Sequence, residues 1–317
     1  MTKPSMSGAA TAAPVDPRGP ATAVAHPAGR LHDAGGRRLW VEQAGEGEPV
    51  VLLAGLGPAG SHVIFHPHFD ALSADHRVFY IDLVGRGRSD APDDLREISF
   101  ESDVADVAAL LTALDAGPVH LYGFSYGGLL AQALALDHPR LVRTLVLANS
   151  LHSPEMWQLN HANINRELAN QCPEVWARIE ELRAEGIPST DPRMQREFAV
   201  AAPLVRFYNP DNARLLATEP GARNHELYPL FCGADVDFTV GGQVARIPDF
   251  RPRLKDVAAP MLVLAGRFDR ALYPALQRQF LASAPSAELR VLERSGSFAH
   301  VEEPDEVLRI LRDFWGR

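Results

Sequence analysis

Residues 121–130 read Leu-Tyr-Gly-Phe-Ser-Tyr-Gly-Gly-Leu-Leu: an apolar run, a Gly-x-Ser-x-Gly turn and a helix-forming run in direct succession. No other segment limits the fold as much. A strand that turns straight into a helix at a serine needs small residues on both sides, and it lifts the serine hydroxyl clear of the sheet edge. Gly123 and Gly127 supply those flanks. Ser125 is therefore the candidate nucleophile, and the rest of the chain has to supply a base to activate it.

The surrounding pattern fits such a turn. Apolar runs at 50–53, 78–81, 119–122, 145–147 and 261–264 read as buried strands, and Leu289 and Val291 alternate with polar neighbours at period two. Val104, Val107, Ala108, Leu111 and Leu114 have helical spacing. So do Val307, Ile310, Leu311 and Phe314, after a helix start at Pro304 with Glu302 and Glu303 beside it. Strands alternating with helices predict an α/β fold, a mostly parallel sheet with helices on both faces.

The alternation breaks between about 151 and 249, where Trp157, Trp176, Phe198, Phe207 and Tyr208 fall among helix-like stretches and 238–242 turns Gly- and β-residue-rich. This divides the chain into a core, 31–150 and 250–317, and a mainly helical cap insertion, 151–249. A cap there would cover the carboxyl edge of the sheet, where ligands bind in open α/β folds. Residues 1–30 are rich in Ala, Pro, Gly and Thr without apolar periodicity and read as a flexible tail.

Composition narrows the function classes. A net charge of −9 argues against a nucleic-acid surface. Cys172 and Cys232 sit in no metal-ligand spacing and read as buried thiols, and no phosphate loop is present. The expectation is a cofactor-free, metal-free cytoplasmic protein with a small molecule or short peptide as partner, and no nucleic acid. No segment has the length and apolarity of a membrane span or a secretory leader.

Four motifs occur in the order found in one family: Leu53-Ala54-Gly55-Leu56-Gly57-Pro58 after an early strand, Asp82-Leu83-Val84-Gly85-Arg86-Gly87-Arg88-Ser89, the Ser125 turn, and Gly266-Arg267-Phe268-Asp269 after a late strand. Together they resemble the α/β-hydrolase family over roughly residues 38–317. The resemblance implies a serine hydrolase that cleaves an amide or ester through an acyl-enzyme on Ser125. Backbone N–H groups of Tyr126 and Leu56, with Gly57 as the alternative, would form the oxyanion hole, and Asp269 would orient the base. Where the family usually has His-Gly in the first loop, this chain has Ala54-Gly55.

Within the family, Ala148-Asn149-Ser150-Leu151 and the stretch Gly233-Ala234-Asp235-Val236-Asp237-Phe238-Thr239-Val240-Gly241 look most like the proline iminopeptidase group. That likeness implies an aminopeptidase whose cap acids hold the free α-amine of the substrate. Asp237 matches one such acid, and Glu197 lies where a second is expected. The alternative is an esterase or amide hydrolase of a specialised metabolite.

The base departs from the family pattern. The loop reads Arg294-Ser295-Gly296-Ser297-Phe298-Ala299-His300, with Ser297 at the usual position of the catalytic histidine. Three readings stay open. His300 reaches Ser125 through a reshaped loop; the base is absent, leaving an impaired hydrolase or a binding protein; or Ser297 replaces a histidine so that substrate is trapped. His62, His66, His68 and His152 read as surface or packing residues.

Overall fold

The computed structural model describes residues 25–316. The expected tail over 1–30 therefore lies, up to residue 24, outside the described residues.

Eight strands form one sheet in the order β1-β2-β4-β3-β5-β6-β7-β8. In chain order they are β1 (Gly29–Asp33), β2 (Arg38–Ala44), β3 (Glu48–Leu53), β4 (His76–Ile81), β5 (Val119–Phe124), β6 (Val142–Ala148), β7 (Met261–Gly266) and β8 (Glu288–Leu292). β2 runs antiparallel to both β1 and β4, and from β4 onward every pair is parallel. All five apolar runs are strands, β3 to β7, and the period-two segment is β8.

Alternation along these strands sorts side chains onto two faces. Val51, Leu53, Leu121, Leu145, Leu147 and Val263 belong to one core, and Val50, Leu52, Tyr122, Val146, Leu262 and Leu264 to the other. On the first face lies α1 (Phe100–Ala113), opened by a capping box between Ser99 and Ser102. α2 (Tyr126–Asp137) packs on the same side. The C-terminal helix Pro304–Trp315 covers the opposite core with Val307, Leu308, Ile310, Leu311, Phe314 and Trp315.

Between Ala148 and Met261 lie α3 (Pro154–Gln171), α4 (Pro173–Ala184) and α5 (Pro192–Arg206), followed by shorter turns. These three helices share a small core of their own, built on Leu168, Cys172, Ile179, Met194, Ala201 and Val205. The stretch 238–242 forms no strand. Phe238 takes a φ of 70° there and stacks on Phe198 and His161. Cys172 and Cys232 are buried free thiols. Among the described residues, no helix is long and apolar enough to cross a membrane.

Candidate active site

Ser125 occupies the single-residue turn between β5 and α2 at φ 53°, ψ −115°. A side-chain-bearing residue rarely adopts a positive φ, and it persists only where the surroundings over-determine it. Here they do. The Ser125 N–H donates to the Ala148 carbonyl (3.0 Å), and its own carbonyl accepts from Ser150 Oγ (3.0 Å). A Cβ at Gly127 would run into the Leu53 carbonyl, and one at Gly55 into the Phe124 carbonyl. Only glycine lets the end of β3 and the turn approach so closely.

Tyr126 opens α2, so its N–H has no acceptor within the helix. Its ring is buried on the far side, where the hydroxyl donates to Asp103 Oδ2 (2.7 Å). Arg86 grips the same carboxylate with two bonds of 2.8 Å and donates through Nε to the Pro58 carbonyl (2.8 Å). One buried guanidinium thus ties the helix behind the nucleophile to the loop that carries Leu56 and Gly57.

Ser125, Leu56, Gly57, Ser297 and Phe298 line the core side of a cavity of about 320 Å³. Trp157, Asn160, His161, Phe198 and Arg206 line its cap side, and Arg223 also reaches it. Among the described residues, no Asp or Glu lines the wall.

Asp269 follows β7 and is buried. Its Oδ1 accepts the N–H groups of Ala271 (2.9 Å) and Leu272 (2.8 Å). Its Oδ2 is buried without a hydrogen-bond partner, and so is Ser297 Oγ. The two residues approach each other but stop short of hydrogen-bonding geometry. Burial pushes the Asp269 carboxyl above the usual range, opposed by the nearby Arg206 guanidinium. An orphaned carboxylate oxygen beside an orphaned hydroxyl calls for an explanation. A histidine at residue 297 would place a donor near that oxygen.

The loop holding Ser297 is itself well fixed. The Ser297 N–H donates to the Arg206 carbonyl (2.7 Å). Glu302 accepts from Gly296 N (2.7 Å), Tyr208 N (3.0 Å) and Asn209 N (3.0 Å). Glu303 accepts from Arg294 N (2.8 Å) and Ser295 Oγ (2.6 Å).

His300 as the base is corrected by this geometry. Its ring is boxed by Phe65, Phe69, Phe124 and Phe298, with His68 at one edge, and it is absent from the cavity wall. Neither ring nitrogen meets a partner at hydrogen-bonding geometry, although the Ile64 backbone lies close. Burial pulls its pKa down to about 3, so the ring is neutral near pH 7 and poorly basic.

The two cap acids are corrected as well. Glu197 pairs with Arg178 Nε (2.8 Å), and Asp237 is exposed and accepts from the Thr239 hydroxyl (2.7 Å). Neither lines the cavity. The stretch matching Asp237 is a turn closed on itself, so its carboxylate is spent locally.

Sequence reasoning missed His161 and Arg206. His161 faces the cavity, accepts from Trp157 Nε1 (3.1 Å) at Nε2 and donates from Nδ1 to the Phe238 carbonyl (3.0 Å). With both nitrogens engaged and its pKa pulled down to about 4 by burial, it is a neutral wall residue rather than a base. Its signal in the sequence was the Trp157/His161 spacing of one helical turn. Arg206 closes α5 and carried no motif.

Comparison with known proteins bears on the fold and the family. A family model described as alpha/beta hydrolase fold matches residues 48–179. A proline iminopeptidase from Heyndrickxia coagulans is 30% identical over 278 residues, covering 86% of this chain and 92% of the relative. A 2-hydroxy-6-oxo-2,4-heptadienoate hydrolase from Pseudomonas putida is 28% identical, covering 90% and 95%. The crystal structure of a Mycobacterium smegmatis proline iminopeptidase superposes with a TM-score of 0.72 at 24% identity, over 90% of this chain and 97% of that one, a likeness of fold. With this sheet, this serine turn and these relatives, the chain belongs to the α/β-hydrolase family.

Proposed function

We propose that the protein hydrolyses an ester or amide bond of a small, largely apolar substrate through an acyl-enzyme on Ser125, and that its activation is incomplete because Ser297 stands where the base belongs. One observation carries the second half: the buried Asp269 Oδ2 has only the Ser297 hydroxyl near it, outside good hydrogen-bonding geometry, beside the cavity that Ser125 faces.

Ser125 Oγ attacks the substrate carbonyl. The developing oxyanion is received by the Tyr126 N–H and by that of Leu56 or Gly57, each such donor contributing on the order of 3 kcal/mol. The leaving group departs, and water then releases the acyl group. The unsupported step is removal of the Oγ proton, because a serine hydroxyl at residue 297 does not accept protons near neutral pH.

The wall chemistry favours the metabolite ester or amide over a free-amine peptide. A substrate ammonium would meet two arginines and no carboxylate. The aminopeptidase reading rests on the likeness of residues 148–151 and 233–241 to the proline iminopeptidase group and on the name of the Heyndrickxia coagulans relative. A fluorophosphonate probe, applied to the protein and to Ser297→His, tests the proposal. Slow labelling of Ser125 that becomes fast in the variant supports it. Equal labelling of both overturns the missing-base half, and no labelling of either overturns the nucleophile. Turnover of prolyl-arylamides by Ser297→His in preference to aryl esters would instead establish the aminopeptidase reading.

A further inference from the structure

Away from the Ser125 cavity, the structure gathers His26, Glu42, His62 and His66, with one potential ligand atom of each lying within 4.8 Å of all the others. In the sequence only the His62-x3-His66 pair has a ligand spacing, while His26 and Glu42 stand apart from it. Glu42 is on β2, His26 precedes β1, and His62 and His66 flank the short turn after the Leu56–Gly57 loop. Side chains of Glu42, His62 and His66 are each 0% exposed.

The hydrogen bonds fix which nitrogen each histidine offers. His62 Nδ1 donates to Asp82 Oδ1 (2.7 Å), and His66 Nδ1 donates to Asp70 Oδ1 (2.6 Å), which also holds the Tyr80 hydroxyl (2.9 Å). Their Nε2 atoms are left buried without a hydrogen-bond partner. They face the Glu42 carboxylate at 3.2 and 3.3 Å. His26 repeats the pattern in the opposite sense, with Nε2 on Glu219 (3.0 Å) and Nδ1 on Glu42 (3.0 Å). An Nε2 that faces a carboxylate at this distance needs a cation between the two atoms, either a proton on the ring or a bound metal ion.

We propose that these four residues bind one divalent transition-metal ion of the zinc class. Tetrahedral zinc holds imidazole nitrogen and carboxylate oxygen at about 2.0–2.2 Å, which sets neighbouring ligand atoms about 3.3 Å apart. The Glu42–histidine separations of 3.0 to 3.3 Å already match that spacing. Each histidine carries a carboxylate on its other ring nitrogen, the arrangement that orients metal-bound imidazoles and makes them more basic. Glu42 Oε1 keeps the Trp40 indole (3.1 Å) and Arg88 (3.1 Å) and lies 3.2 Å from His62 Nε2, while Oε2, which faces His26 Nδ1 (3.0 Å) and His66 Nε2 (3.3 Å), is the freer ligand atom. Glu42, Asp70, Asp82 and Glu219 surround the three imidazoles, with Arg88 paired to Glu42 and Glu219, so a dication would sit among carboxylates. Three histidines and a carboxylate fill the coordination shell, which makes the site structural. The ion would clamp the segment before β1 to β2 and to the turn behind the oxyanion loop.

The test uses the full chain, stripped with a chelator and titrated with Co²⁺ and with Zn²⁺. The expected result is one equivalent bound, the intense visible bands of tetrahedral Co²⁺, displacement by Zn²⁺, and a higher Tm with metal. His66→Ala should abolish the bands. His26→Ala lies outside the sheet and leaves the fold intact, and it should weaken binding at least tenfold, as should Asp70→Asn. Absence of tetrahedral Co²⁺ bands in the wild-type chain, or bands that persist unchanged in both His26→Ala and His66→Ala, would overturn the site. Neither readout depends on Ser125.

Discussion

The turn at Ser125 and the loop at Ser297 both leave the carboxyl end of a parallel strand, and both face one cavity. They differ in how their polar atoms are satisfied. Around Ser125 the backbone N–H and carbonyl, the Tyr126 hydroxyl, Asp103 and Arg86 are all hydrogen-bonded. Around Ser297, Asp269 Oδ2, Ser297 Oγ and both nitrogens of His300 are buried and unpartnered. Asp269 Oδ2 and Ser297 Oγ are two of several buried side-chain atoms without a partner among the described residues, and their place beside the cavity is what fits the proposed loss of a base. The Ser125 side is held by hydrogen bonds that involve neither Ser297 nor Asp269.

The sharpest way to break the comparison is Ser297→His. If the orphaned atoms mark a missing imidazole, aryl-ester kcat/KM should rise roughly 10²- to 10⁴-fold, and adding Asp269→Asn should remove most of the gain. An unchanged rate would make the two loops equivalent after all. On the satisfied side, Arg86→Leu leaves Asp103 buried and unpaired and should cost about 3–5 kcal/mol in urea unfolding at pH 7. A loss under 1 kcal/mol would mean that the elbow does not depend on this network.

His300→Leu should do the reverse and stabilise by about 1–3 kcal/mol, because it removes unsatisfied buried nitrogens. The sign of its pH dependence follows from the folded pKa of about 3, below the unfolded value of 6.5. As pH falls below 6.5 the unfolded chain binds a proton that the folded chain refuses until about pH 3, so the native protein loses stability across that window. The variant should be flatter there, and unfolding curves at pH 7 and pH 5 with equal gaps would contradict it.

The smallest effect is expected from Asp269→Asn in the Ser297 chain, a gain of about 1 kcal/mol at pH 8. The folded carboxyl titrates above its unfolded value, so its burial penalty is felt at high pH and fades as the pH falls through the folded pKa. The gain should therefore shrink in acid, and a thermal scan showing destabilisation at pH 8 would refute the orphan reading.

Much of the fold was legible because β3 to β7 are buried on both faces and read as continuous apolar runs. β1, with the sequence Gly-Arg-Leu-His-Asp, is an edge strand with half-buried residues and left no such trace. At the site, Ser125 and Asp269 could be placed because local turn chemistry fixes them. The cap acids could not, because what Asp237 touches depends on how residues 235–239 close on themselves. His300 was misread because three residues of loop separate a cavity position from an aromatic box. In the histidine–glutamate cluster only the His62–His66 spacing is local; Glu42 reaches it from β2 and His26 from the segment before β1, which no sequence pattern joins.

Glu302 holds Tyr208 and Asn209, just past α5, with one carboxylate that also holds Gly296. A ligand that prises this edge of the cap outward must either part the carboxylate from one set of amides or pull Gly296 along with it. Ser297 is the next residue and hangs from the Arg206 carbonyl at the end of α5. Residue 297 and this edge of the cap are therefore one mechanical unit, and any group installed at residue 297 would be re-aimed by a displacement of that edge.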